Sequence, residues 1–209
     1  MTLSRDHLEC EKVQVIYVFR YLNVHMSRRC FISIDIEGEG LRSSLESFQQ
    51  KISGIGLSNP TSPSNFHITL NFIGEIGENK LAEVRKNLNS LSMPSFEFSV
   101  EGIGVFPDRD FIKVVWAGVG QGRERMENLA EAVRSKLDPE LVQDREFHPH
   151  ITLSRVKKIG REEKRELQSI IDKNQNRVFG SMEADSFRLK ESILKEGAKH
   201  RTIEVFDLE

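Results

Sequence analysis

The tripeptide His-Ile-Thr occurs twice in this chain of 209 residues, at residues 67–69 and 150–152, and a leucine follows each copy. In an extended strand successive side chains point to opposite faces, so each copy places its His and Thr on one face and apolar residues on the other. A covered face does not normally carry His and Thr unless a polar group lies against it. The repeat therefore predicts two equivalent strands whose polar faces line a common groove.

Two imidazoles, of His67 and His150, and two hydroxyls, of Thr69 and Thr152, would meet in that groove. Histidine titrates at a pKa of roughly 6.5, so one of the pair can accept a proton while the other donates one. Threonine hydroxyls can donate hydrogen bonds to the non-bridging oxygens of a phosphate. The four side chains indicate acid–base chemistry on a phosphate ester, and they leave open which histidine is the base.

The repeat and its surroundings resemble the 2H phosphoesterase superfamily, which is named for paired H-x-T/S motifs. Within it, the chain is similar to the RNA 2′,3′-cyclic phosphodiesterases, also called the 2′-5′ RNA ligase family. The resemblance covers nearly everything from Met26 to the end of the chain, and its most specific part is residues 148–153 followed by Arg155. Further matching segments are an opening strand, the tail of the first motif and a middle strand, at residues 31–36, 72–75 and 114–119.

This resemblance implies an enzyme that hydrolyses the 2′,3′-cyclic phosphate ends of RNA or nucleotides to 2′-phosphomonoesters, with no metal and no other cofactor. His67 and His150 would be the catalytic residues. Thr69 and Thr152 would bind the phosphate oxygens of the substrate. Hydrolysis of this kind needs one histidine to activate water and the other to protonate the departing ribose oxygen.

The resemblance also implies substrate-binding roles for Arg155, as a fixed cation near the phosphate, and for Phe72, as a stacking surface for a base or a wall of the cleft. Each lies five positions after its histidine, so strict alternation would put it on the opposite face of the strand. Either role therefore requires the strand to end or bend before it reaches Arg155 or Phe72. The alternatives are a surface arginine and a core phenylalanine. His148 shares the parity of His150 and is expected to support the site without contacting the reaction.

Three alternative functions would use the same groove. Joining of RNA strands through 2′-5′ bonds would need the same histidines, with a ribose hydroxyl in place of water. A zinc enzyme could use histidine ligands, although neither motif contains the Asp or Glu that such sites often include. A non-catalytic RNA-binding or nucleotide-binding protein could hold a phosphate, although Lys or Arg would serve better than His at neutral pH.

The composition, with 38% apolar and 30% charged residues, is typical of a soluble globular protein. The net charge of −2 excludes a general basic field for nucleic acid, so contact with RNA would rest on a local patch or on a strand end. Cys10 and Cys30 fit neither a metal motif nor a disulfide framework, which is typical of a reducing compartment. We expect a cytoplasmic monomer with no membrane association.

Residues 1–25 precede all of these motifs, and we expect them to be a poorly ordered extension. Their apolar run at residues 13–19 is far shorter than the roughly 20 residues that cross a membrane. The alternative is that this run forms an extra strand at the edge of a sheet. Residues 26–209 are expected to form a single bilobal 2H phosphoesterase domain.

Hydrophobic spacing predicts two similar halves, each with a strand, a helix, a motif strand and a second helix. The expected helices are marked by Leu41, Leu45, Phe48 and Ile52; by Leu81, Val84, Leu88 and Leu91; by Met126, Leu129, Val133 and Leu137; and by residues 161–173. Strands are expected at residues 31–36, 96–105, 111–119, 147–156, 178–189 and 201–208, besides the first motif. This order predicts an α+β fold. The resemblance implies a duplicated two-lobe fold, with antiparallel sheets lining a central cleft and helices outside.

Overall fold

The computed structural model describes residues 27–55, 59–193 and 199–209. Within these ranges the chain forms four α-helices and one antiparallel sheet of eight strands. The helices are α1 (Glu39–Ser53), α2 (Glu78–Leu88), α3 (Arg123–Ser135) and α4 (Arg161–Lys173). The strands are β1 (Arg28–Asp35), β2 (His67–Ile76), β3 (Phe96–Pro107), β4 (Ile112–Val119), β5 (His150–Arg155), β6 (Val178–Ala184), β7 (Ser186–Ile193) and β8 (Lys199–Asp207). The extension predicted at residues 1–25, with its alternative strand, lies outside the described residues.

The order of the strands is symmetrical about the centre of the sheet. It is β6-β3-β4-β5-β2-β1-β7-β8, so the two motif strands, β2 and β5, lie side by side in the middle. Along the chain, β1-α1-β2-α2 is followed by β3, and β4-α3-β5-α4 then repeats the same plan. The predicted duplicated α+β fold is confirmed, and the strands of both halves join in one sheet.

The helices cover one face of the sheet. The buried side chains of α1 fall at the predicted spacing, at Leu41, Leu45, Phe48 and Ile52, together with Gln49. Those of α3 are Met126, Leu129, Ala130 and Val133. Both sets join Ile68 and Ile151 of the motif strands in one hydrophobic cluster. Because burial of apolar surface is worth roughly 25 cal/mol per Å², this cluster determines which face of each motif strand points inward.

Two of the predicted helices are wrong at their last residue, since Leu91 and Leu137 lie beyond the helix ends. At both places the chain tightens into a turn with hydrogen bonds from residue i+3 to residue i. The Leu91 N–H donates to the Leu88 carbonyl over 3.0 Å, and the Leu137 N–H donates to the Arg134 carbonyl over 3.1 Å. Both leucines still pack on the core, which is why the apolar spacing continues past the helix. The fourth helix, Arg161–Lys173, is confirmed.

The single strand predicted at residues 178–189 is wrong. The chain forms two strands there, β6 and β7, separated by Asp185. β6 pairs with β3 at one edge of the sheet, whereas β7 pairs with β1 and β8 in the other half. No glycine or proline turn separates the two strands, so the sequence carries no signal for the change of partner. The other predicted strands are present with ends shifted by a few residues.

We expect a chain that begins at Met26 to keep the stability of the full chain, because β1 begins at Arg28 and the eight described strands pair with one another. The melting temperatures of the two proteins, followed by circular dichroism, should agree within about 3 °C, which corresponds to roughly 1 kcal/mol at this size. A larger loss on removal of residues 1–25 would support the alternative strand at residues 13–19.

Candidate active site

The motif strands place their His and Thr side chains on the face of the sheet that the helices leave open. In β2, Ile68 is completely buried in the core, whereas His67 and Thr69 are partly exposed. β5 repeats this pattern of burial residue for residue over 150–153. The alternation predicted from the repeated tripeptide is therefore present in both copies.

β2 and β5 run antiparallel and pair at the isoleucines that separate each His from its Thr, Ile68 and Ile151. In an antiparallel pair this register sets His67 across from Thr152, and the second histidine across from the first threonine. The two imidazoles and the two hydroxyls thus form one compact group around the centre of the sheet.

Both motif histidines make the same backbone hydrogen bond. The Nδ1 atom of His67 lies 2.6 Å from the carbonyl oxygen of Asn65, and the Nδ1 atom of His150 lies 2.6 Å from that of His148. A carbonyl oxygen only accepts, so Nδ1 carries the proton in both rings and Nε2 carries the lone pair of the neutral form. Each ring is therefore oriented with Nε2 as the atom for proton transfer.

Burial lowers the pKa of both imidazoles. For His67 it is the largest effect and brings the pKa down to about 4, although the hydrogen bond to the Asn65 carbonyl opposes it. Burial also lowers the pKa of His150 below its ordinary value, against the hydrogen bond to the carbonyl of His148. Both rings are thus mainly neutral at pH 7. A bound anion would stabilise the protonated form of either ring, as acid–base catalysis requires.

A β-bulge in β2 determines the orientation of Phe72. The pairing of β2 with β1 shifts between Thr69 and Asn71, so one extra residue stands in β2. Leu70 and Asn71 are therefore both buried, and Phe72 returns to the open face with 46% of its surface exposed. The predicted bend is present, and the alternative of a core phenylalanine is wrong.

β5 contains a bulge at the equivalent position. Its pairing with β4 shifts between Thr152 and Ser154, and Leu153 and Ser154 are both buried. Arg155 is consequently exposed on the same face as His150. The structure thus brings all six predicted site residues to one face, while the contacts of Phe72 and Arg155 with a substrate stay predictions.

Two aromatic residues form a wall beside His67. The ring centroids of Phe31 and His200 lie 5.2 and 5.1 Å from that of His67, and Phe31 also lies 6.0 Å from Phe72. Nδ1 of His200 is buried without a hydrogen-bond partner among the described residues. Neither Phe31 nor His200 was predicted as part of the site. His200 lies far along the chain in a strand without a repeated motif, and only the pairing of β7 with β1 and β8 brings it here.

A second wall lies beside His150. The ring centroids of Phe106 and Trp116 are 4.9 and 6.1 Å from that of His150, and His148 lies 4.9 Å from Trp116. The indole lies close over Gly104, where a Cβ atom would come within 2.1 Å of it. A cavity of about 390 Å³ opens beyond this wall, lined by Trp116, His148, Arg123 and Arg109 among others.

An ion-pair network lies on the strand next to His67. Asp35 is the β1 partner of His67, and its two oxygens accept hydrogen bonds of 2.9 and 2.7 Å from Lys190. Arg188 lies 3.0 Å from the same carboxylate. Lys190 is only 3% exposed, and such burial of a charge requires a paired counter-ion. Burial alone would raise the pKa of Asp35. Lys190 and Arg188 nevertheless lower it, so the carboxylate stays ionised as their partner.

Among the residues that the structure describes, no group of three or more His, Cys, Asp or Glu side chains is arranged to hold a metal ion. The same residues include no helix long and apolar enough to cross a membrane. That the proposed reaction needs no metal ion stays a prediction.

Comparison with known proteins gives matches over most of the chain. A family model described as AKAP7 2′5′ RNA ligase-like domain matches residues 30–201. A protein of Archaeoglobus fulgidus named RNA 2′,3′-cyclic phosphodiesterase is 35% identical over 86% of this chain and 99% of its own length. A protein of the same name from Methanothermobacter thermautotrophicus is 34% identical over 88% of this chain and 100% of its own length.

Solved structures have the same fold. The protein TT0787 of Thermus thermophilus is 26% identical, with a TM-score of 0.72 over 86% of this chain and 97% of that one. Escherichia coli LigT in its apo form is 23% identical, with a TM-score of 0.70 over 88% of this chain and 98% of that one. A duplicated sheet with two neighbouring H-x-T strands defines the class of 2H phosphoesterases. The chain belongs to the 2′-5′ RNA ligase-like family of that class.

We expect the pH profile of kcat/KM for a 2′,3′-cyclic nucleotide to fall on its alkaline side at a pH below 6.5. The catalytic acid must be protonated, and because the pKa of each imidazole is lowered in the free protein, that form is lost early as the pH rises. The kcat profile should fall at a higher pH, because the bound phosphate anion raises the pKa of the acid. Initial rates between about pH 4 and 9 give both profiles, whose apparent pKa values belong to the coupled pair.

A flat profile from about pH 5 to 9 would exclude two-histidine catalysis. An alkaline limb of kcat/KM well above 7 would contradict the effect of burial on both rings.

Proposed function

We propose that this protein is an RNA 2′,3′-cyclic phosphodiesterase, which opens the cyclic phosphate at the end of an RNA strand or of a nucleotide. The observation that carries the proposal is the antiparallel pairing of β2 and β5, which brings His67 and His150 together with equivalent Nδ1 hydrogen bonds. The curated relatives named above support the same reaction. 2′-5′ strand joining would use the same side chains, and nothing in the site favours it over hydrolysis.

In the proposed reaction the phosphate lies between the two Nε2 atoms. One neutral imidazole takes a proton from the water that attacks phosphorus, and the other, protonated, gives its proton to the departing ribose oxygen. The new P–O bond and the breaking one lie in line on opposite sides of phosphorus. Thr69, Thr152 and Arg155 stabilise the charge on the remaining oxygens, as preorganised donors do in other phosphoryl-transfer sites.

The lower pKa of His67, at about 4, suits the neutral base. His150, whose pKa burial also lowers, then serves as the acid once the phosphate anion is bound. Phe72, exposed beside Phe31, offers a ring face to the terminal base. No cofactor has a role in this scheme, and a cytoplasmic monomer remains our expectation.

We expect His67→Ala and His150→Ala each to lower kcat/KM for a 2′,3′-cyclic nucleotide by roughly 10² to 10⁴, the range that general acid–base catalysis supplies. Steady-state rates measure the loss, and melting curves check that each variant is folded. His148→Ala is the matched control, because its backbone carbonyl still accepts the hydrogen bond of His150. It should lose less than about tenfold.

The same rate assays, carried out on the parent protein in excess chelator, test whether the reaction needs a metal ion. Rates should be unchanged, and a loss that zinc restores would assign the chemistry to a metal ion instead.

Near-normal turnover of a folded His67→Ala or His150→Ala protein would refute the two-histidine mechanism.

We expect a single product isomer from a 2′,3′-cyclic nucleotide, because fixed acid and base groups serve only one direction of in-line ring opening. The family resemblance makes that isomer the 2′-phosphomonoester, formed when the 3′ oxygen leaves. Phosphorus NMR distinguishes the two monoesters directly. A mixture would contradict the fixed geometry, whereas pure 3′-monoester would contradict only the assignment of the leaving oxygen.

A further inference from the structure

The bulges of β2 and β5 each contain a buried polar side chain on the core face of the sheet, where the neighbouring side chains are apolar. Asn71 is 2% exposed and Ser154 is 0% exposed. Each stands four positions after its motif histidine and directly before the residue that the bulge turns to the open face, Phe72 or Arg155. A buried polar group is costly unless it is hydrogen-bonded, so the partners of these two side chains indicate their role.

Asn71 connects its bulge to the segment that leads into the second motif. Its Nδ2 donates to the carbonyl of Leu141 over 2.9 Å and to the carbonyl of Phe72 over 3.2 Å. Leu141 ends the short 3₁₀ helix Pro139–Leu141, which precedes β5. The amide thus holds the backbone of Phe72 directly.

Ser154 makes the reciprocal connection, to the segment that leads into the first motif. Its Oγ donates to the carbonyl of Asn59 over 3.2 Å, and the N–H of Arg155 donates to the same oxygen over 2.9 Å. The extra residue of this bulge, Leu153, has a carbonyl that accepts from the N–H of Thr61 at 2.9 Å and from the buried side chain of Gln49 at 2.5 Å.

We infer that Asn71 and Ser154 are positioning residues, each of which holds the bulge that turns Phe72 or Arg155 to the open face of the sheet by binding the segment before the other motif. The functional meaning rests on the proposed function, in which Phe72 and Arg155 bind the substrate. Without the bulge, regular alternation would return both side chains to the core face. Each half of the sheet thus determines the orientation of a binding residue through the loop of the other half.

Asn71 allows the sharper test, because one polar atom of its buried side chain is unpaired among the described residues. That atom is Oδ1. Asn71→Leu keeps the approximate shape of the side chain and removes both this unpaired acceptor and the two donated hydrogen bonds. The stability of the protein therefore need not fall when KM rises.

The experiment is a double-mutant cycle on kcat and KM for a 2′,3′-cyclic nucleotide, with Asn71→Leu, Phe72→Ala and the double variant. We expect each single variant to raise KM about five- to tenfold, the low end of what loss of base stacking causes. In the Phe72→Ala background, Asn71→Leu should then add less than about twofold. A multiplicative effect on KM, or none in the single variant, would overturn the inference.

Asn174→Leu is the matched control. Asn174 is also a buried asparagine, and its Nδ2 donates to the carbonyl of Ile170 over 2.7 Å at the end of α4, away from both bulges. This variant should leave KM within about twofold of the parent protein.

If Asn71→Leu fails to fold, Ser154→Ala combined with Arg155→Ala provides the second cycle. There we expect a smaller rise in KM, about threefold, because the N–H of Arg155 still binds Asn59.

NMR contacts between the rings of Phe31 and Phe72, whose centroids lie 6.0 Å apart, test the positioning without any substrate. Asn71→Leu should weaken these contacts, and unchanged contacts would overturn the inference. A parent protein that fails to hydrolyse the cyclic nucleotide would instead refute the proposed function, and the ring contacts would still decide whether Asn71 positions Phe72.

Discussion

The site depends on the pairing of β2 and β5 at Ile68 and Ile151, in the middle of the sheet. Every apolar side chain of the two motifs contributes to the same core, so the polar side chains have no alternative to the opposite face. A slip of either strand by one residue would bury the histidine of that strand and expose its isoleucine. The hydrophobic effect therefore sets the geometry of the polar group, although it acts on the other side of the sheet.

The two halves match in their backbone and differ in their surroundings. His67 lies near Lys190, Asp35 and His200, whereas His150 lies against Phe106 and Trp116. The motif alone makes the histidines equivalent, and their neighbours make them different. Two identical imidazoles can in this way divide the roles of acid and base, because their proton affinities depend on the strands that flank each motif.

The motif residues could be predicted because their signal is local: a tripeptide that occurs twice determines the parity of His67 and His150. Phe72 and Arg155 were harder, because a bulge depends on hydrogen bonds to carbonyl groups distant in sequence, such as that of Leu141. His200 and Phe31 come together only through the pairing of β1, β7 and β8. The break at Asp185 was missed for a similar reason, since both strands that it separates have ordinary strand sequences.

The strand order has a consequence for how the protein is made. The half of the sheet that contains β2 and β1 is completed by β7 and β8, which end the described chain, while β3 crosses into the half that contains β5. Neither repeat is therefore an autonomous folding unit. During synthesis, the wall beside His67 therefore cannot form before β7 and β8 have left the ribosome, long after the His67 motif itself has emerged.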